Sequence, residues 1–103
     1  GADMDKAAND GATPLFIACL EGHLEVVGLL VEKGADMDRT MNDGCTPLFM
    51  ACQNGHLEVV RLLVEKGADM DEADENSVTP LAVARHQGHT EIVAFLEQAG
   101  GRA

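Results

Sequence analysis

Thr13-Pro14-Leu15-Phe16 opens a stretch that runs through Gly22-His23 to Gly34-Ala35-Asp36-Met37-Asp38, and these phrases return 33 residues later. They recur as Thr46-Pro47-Leu48-Phe49, Gly55-His56 and Gly67 to Asp71, then as Thr79-Pro80-Leu81-Ala82 and Gly88-His89. A period of roughly 20–50 residues marks an array in which each unit is stable only against its neighbours. Such an array presents a surface and seldom encloses a pocket with convergent polar groups, so the sequence points toward binding and away from catalysis.

Within one unit, Thr13 suits a helix N-cap and Pro14 the first helical position, where its missing N–H costs nothing. Leu15, Ala18 and Cys19 recur at helical spacing, predicting a short helix that runs to about Glu21 and stops at Gly22. A second helix is expected over about 24–32, with Val26, Val27, Leu29 and Leu30 on its apolar face and Gly34 ending it. Helices this close in sequence must lie antiparallel. Between helix pairs, Asn42-Asp43-Gly44 signals a tight turn, so the connection reads as an extended finger. Neither helix is long enough to stand alone, which leaves stacking as the source of stability.

Thr-Pro-Leu, Ala, Gly-His, Glu-Val-Val, Leu-Leu and Gly-Ala-Asp, in register over 33 positions from Gly1 to about Gly100, resemble the ankyrin repeat. The resemblance implies an all-α solenoid of stacked antiparallel helix pairs joined by β-turn fingers. It implies one domain over residues 1–103, with repeats at about 7–39, 40–72 and 73–103. It also implies non-enzymatic protein–protein recognition through the finger tips and the concave helix face. Mapped by register, the contacts fall on Ala7, Asn9, Asp10, Ala12, Leu20 and Glu21 in the first repeat. The second repeat supplies Thr40, Met41, Asn42, Asp43, Cys45, Gln53 and Asn54, and the third Ala73, Glu75, Asn76, Val78, His86 and Gln87. Leu20 is the sharpest of these, because its counterparts are Gln53 and His86; Met41 at a finger tip is next.

Three positions depart from the family pattern. Phe16, Phe49 and Ala82 stand where the family usually carries a His that ties neighbouring fingers together. Asp38 and Asp71 replace a common Asn, adding charge near the finger base. The Asp often found five residues before the Thr occurs only as Asp74, with Ala8 and Met41 in the earlier repeats.

Repeats one and two agree at about 25 of 33 positions, whereas the third differs from the second at more than half. The drift is directional: Val31 and Val64 become Glu97, Leu24 and Leu57 become Thr90, and Cys19 and Cys52 become Arg85. Polarity at these sites fits a C-terminal cap, with ordinary divergence as the other reading and a frayed end at 100–103. The first repeat lacks matching polarity, so its outer side is expected to be an uncapped end capable of weak self-association in an otherwise monomeric chain. The chain thus reads as an excised piece of a longer array, with design by repetition the alternative that the first two repeats suggest. On that alternative it is a scaffold with no dedicated partner.

A net charge of −11, with the basic residues scattered, argues against nucleic acid, which calls for clustered Lys and Arg. Acids gather between the helix pairs, at Asp36, Asp38, Asp69, Asp71, Glu72, Asp74 and Glu75. They serve solubility, or steer a basic partner protein. No apolar run is long enough to span a membrane, and the stretch before Thr13 does not read as a secretory leader. Three cysteines without a disulfide spacing fit an intracellular, cytoplasmic setting; Cys19 and Cys52 read as buried and Cys45 as exposed in a turn.

No cofactor or metal is called for. His23, His56 and His89 are one repeat apart, about 10 Å, too far for one ion, and read as structural residues opening the second helix. The Asp-x-Asp pairs at 36/38 and 69/71 lack the spacing of a calcium loop, the glycines occur singly, and His86 with Cys45 or Cys52 implies no oxyanion device.

Overall fold

Six short helices in three pairs make up the regular structure of the computed structural model, which describes residues 11–100. The expected contacts at Ala7, Asn9 and Asp10, and the tail at 101–103, lie outside the described residues. The first helix of each pair is α1 (Pro14–Glu21), α3 (Pro47–Gln53) or α5 (Pro80–Gln87); the second is α2 (Leu24–Glu32), α4 (Leu57–Glu65) or α6 (Thr90–Ala99). Each Thr-Pro start does what its chemistry predicts. Thr13 Oγ1 accepts from the Phe16 amide at 3.2 Å, Thr46 from Phe49 at 3.0 Å and Thr79 from Ala82 at 3.1 Å. Gly22, with φ of 78°, closes α1 and accommodates the sharp turn into α2.

The helices stack in two rows. α1, α3 and α5 form an inner row in close contact, and α2, α4 and α6 an outer row packed behind it. Leu15, Leu48, Leu63 and Leu96 are fully buried between the rows, with Ala51, Ala84, Cys19 and Cys52 permitting close approach. All three cysteines are free thiols.

Burial along the outer row is uneven. Val59 and Ile92 are 1% and 2% exposed, yet their first-repeat counterpart Val26 is 48% exposed and Leu29 is 53% exposed. The cause is position in the stack. Leu62 lies against Gly28 of the preceding outer helix, where an added Cβ would sit 3.6 Å from Leu62 Cδ2. Phe95 likewise sits beneath the Arg61 guanidinium, 5.7 Å from ring centroid to Cζ. Among the described residues no helix lies on that side of α2, so only Val27 of its expected face is buried. At the opposite end, Arg85 Nη2 and Glu97 Oε2 pair at 2.6 Å, both about half exposed.

The fingers stack as well. In the second finger the Met41 amide donates to Cys45 O and the Gly44 amide to Met41 O, each at 2.9 Å. The third repeats the pattern with Asp74, Val78 and Ser77, and the Glu75 amide crosses to Asp43 O at 3.0 Å. Gly44 is required here: its φ is 87°, and a Cβ would stand 2.9 Å from the Glu75 nitrogen. At the finger base the Asp69 amide donates to Asp38 Oδ1 at 2.9 Å. The acid that replaces the family Asn therefore joins one repeat to the next, and fingers without the family His are tied by these two bonds.

Candidate functional site

Where the second finger meets α1 and α3, the chain leaves an apolar groove of about 370 Å³. Its floor is Ala12 and Phe16, both buried. Ile17, 44% exposed, and Leu20, half-buried, lie one helical turn apart along one side. Met50 enters from α3, and Met41 and Asp43 from the finger tip. The Cys45 amide donates to Asp43 Oδ1 at 3.0 Å, a local side-chain turn that holds the tip in shape.

The two apolar residues that the sequence singled out, Leu20 and Met41, thus belong to one surface although they lie in different repeats. Ile17 and Met50 complete it and were not foreseen. Their signal was present: Ile17 is one turn before Leu20, and Met50 is its own counterpart one repeat on. At the following junction the same register places Gln53 for Leu20 and Asp74 for Met41, so the apolar groove is not repeated there.

The remaining expected contacts fall in three groups. Glu21, Asn42, Asp43, Asn54, Glu75, Asn76, His86 and Gln87 are exposed; Thr40, Gln53, Ala73 and Val78 are half-buried. Ala12 and Cys45 are buried, Ala12 at the floor of the groove, and the expectation that the Cys45 turn is exposed is corrected. The physical reason is finger stacking, which covers the base of each tip with the next finger. Cys45 also shows what surrounds it. Burial, a hydrogen bond with Asp43 and the charges of Asp43, Asp74 and Glu75 push its thiol up to about 12. Burial does the same to Cys19 and Cys52. None of the three is a thiolate at neutral pH, and the thiolate is the nucleophilic form.

The Gly-His histidines bind the neighbouring repeat. His56 Nε2 stands 3.0 Å from the Leu20 carbonyl oxygen, which also accepts from Asn54 Nδ2 at 2.9 Å. His89 Nε2 stands 3.0 Å from Gln53 O. These rings satisfy carbonyls at the C-terminal ends of α1 and α3, which have no partner within their own helix. His23, exposed, lies 3.3 Å from Glu21 Oε1.

Stacked helix pairs, stacked fingers and a groove along their junction define a helical repeat solenoid with a recognition surface. The chain belongs to the ankyrin repeat family: the family model described as "Ankyrin repeats (3 copies)" matches residues 1–74 and 38–101. A comparison with curated proteins finds no match. Ankyrin repeats are in general protein–protein interaction modules and in general not enzymes. Among the described residues no helix is long and apolar enough to cross a membrane.

Proposed function

We propose that this chain is a protein-binding module whose partner docks along the finger tips and the exposed side of the inner helices, centred on the groove between the first two repeats. The observation that carries the reading is the convergence of Leu20 and Met41, with Ile17 and Met50, on one apolar surface. These are also positions at which two otherwise near-identical repeats differ. Partly exposed apolar side chains gathered on a rigid frame favour recognition with little ordering cost. Three unpaired thiols support a reducing, cytoplasmic setting for the encounter.

The test is affinity capture from a cell lysate, with the chain beside an Ile17→Lys/Met41→Lys variant whose helical melt is unchanged. A protein retained by the parent and lost by the folded variant supports the proposal. Identical retention by both places binding elsewhere and overturns it. The near identity of repeats one and two favours a second reading, a scaffold made by repetition with no dedicated partner. Capture of nothing by the parent, across lysates of several cell types, supports that reading.

A further inference from the structure

We infer that the occupant of the groove is a short basic segment that inserts one bulky aliphatic side chain between Ile17 and Met41 and sets its Lys or Arg residues against the finger-tip carboxylates; this rests on the docking reading above. The groove's own chemistry sets the anchor. At about 370 Å³ it is at the small end for a ligand pocket, sized for one or two side chains and not for a cofactor. Six of its seven lining residues are aliphatic, aromatic or thioether, and the exception is the carboxylate of Asp43. Asp43 Oδ1 already accepts from the Cys45 amide. A buried polar group on the guest would therefore go largely unpaired, which selects an apolar anchor. Met41 and Met50 are unbranched and adaptable, so the wall can follow Leu, Ile or Met alike.

Charge sets the flanks. Asp43 stands at the groove, and Asp74 and Glu75 are near enough to raise the same Cys45 thiol. The Glu75 amide is bonded to Asp43 O at 3.0 Å, so adjoining fingers bring the exposed residues Asp43 and Glu75 together, while half-buried Asp74 accepts from the Asn76 and Val78 amides. Among the described residues no Lys or Arg lines the groove. Arg61 lies over Phe95 on the outer row and Arg85 is paired with Glu97 at the far end, while Arg39, exposed two residues before Met41, is the cation nearest to the groove in sequence among the described residues. An acidic rim beside an apolar slot, on a chain of net charge −11, is complementary to a cationic segment and repels an acidic one.

The experiment is selection of a random dodecapeptide library, displayed on phage, against the full chain at low salt. Selected peptides should be enriched in Lys and Arg around a Leu, Ile or Met. As synthetic peptides they should lose about tenfold or more in affinity when that residue becomes Ala, and a similar factor against Asp43→Asn/Glu75→Gln. Binding should disappear with the folded Ile17→Lys/Met41→Lys variant. Peptides that need Ile17 and Met41 but are neutral or acidic overturn this inference and leave the docking site standing. Peptides indifferent to the groove variant, or no enrichment over an unrelated bait, overturn both.

Discussion

Replacing the Gly22, Gly55 and Gly88 series one at a time by Ala separates two demands on the same residue. Their backbones are nearly identical, with φ of 78°, 78° and 76°. Each substitution therefore carries the same left-handed penalty, about 1–2 kcal/mol. Their surroundings differ. A Cβ at Gly22 would lie 2.6 Å from His56 Nδ1 and 2.7 Å from Cε1; at Gly55 it would lie 2.8 Å from His89 Cε1. At Gly88 nothing among the described residues stands within 4 Å. Gly22→Ala and Gly55→Ala must push the His ring away from its carbonyl, giving up a hydrogen bond worth about 1 kcal/mol and part of the ring's packing. We expect these two to cost about 1–2 kcal/mol more than Gly88→Ala. The assay is urea unfolding followed by circular dichroism at constant m-value, with His56→Ala made alone and with Gly22→Ala as a double-mutant cycle. Once the ring is gone, the cost of Gly22→Ala should fall to that of Gly88→Ala. Equal costs for all three glycines, or additivity of Gly22→Ala with His56→Ala, would show that the histidine contact does not hold the repeats together.

Val59→Ala should destabilise by about 2 kcal/mol, as a buried truncation does, while Val26→Ala at the equivalent position should cost less than about 1 kcal/mol; matched urea titrations compare them. The finger tips differ in kind: Ser77 holds a φ of 66° where the preceding finger has Gly44. Ser77→Gly should raise stability by about 0.5 kcal/mol, whereas Gly44→Ser should cost at least about 2 kcal/mol because the next finger is in the way. Alkali should unfold the chain through its thiols. Cys19, Cys45 and Cys52 are raised from 9.0 to about 12 by burial, so above pH 9 the unfolded state has lost protons that the folded state keeps. Stability is then full below about pH 9 and falls as pH rises toward 12, by at most about 1.4 kcal/mol per pH unit per thiol; Cys19→Ala/Cys52→Ala should flatten the fall after allowing for its lower starting point. A stability that does not change between pH 8 and 10.5 would contradict the burial of these groups.

Most of the fold was legible because its instructions are local and repeated. Thr13, Pro14 and Gly22 specify a helix start and stop within ten residues, and their recurrence at 46, 47 and 55 fixes the register of the stack. What sequence could not supply was the environment set by a neighbour. Val26 and Val59 occupy identical local sequence, Leu-Glu-Val-Val, yet one is about half exposed and the other buried. Cys45 looked open because its own residues form a turn; it is closed by a finger 30 residues further on. The candidate site was half legible for the same reason. Leu20 and Met41 stood out against their counterparts, but their meeting in one groove depends on how the second finger leans on α1, which no local pattern encodes.

The repeats differ from one another for two physical reasons, and separating them isolates the groove. Some differences follow from having no neighbour. Ser77 replaces the finger glycine in the third repeat, where no further finger stands among the described residues, and Arg85 and Glu97 replace Cys and Val at the end of the helix rows. Packing explains those changes without any appeal to a partner. It does not explain the first junction against the second. Both are internal, and both keep Phe at the groove floor, with Phe16 and Phe49 nearly fully buried. Yet Leu20 gives way to Gln53 and Met41 to Asp74, on side chains that are only half-buried and make up the wall. Asp74 has a local reason of its own, because its Oδ1 accepts from the Asn76 and Val78 amides at 2.9 Å and shapes the third finger; the change from Leu20 to Gln53 has no such structural explanation. Repeats one and two also differ away from the groove, as at Gly28 and Arg61, but Leu20 against Gln53 is a change that lies on the groove wall, and it makes the first junction the place to look for a guest.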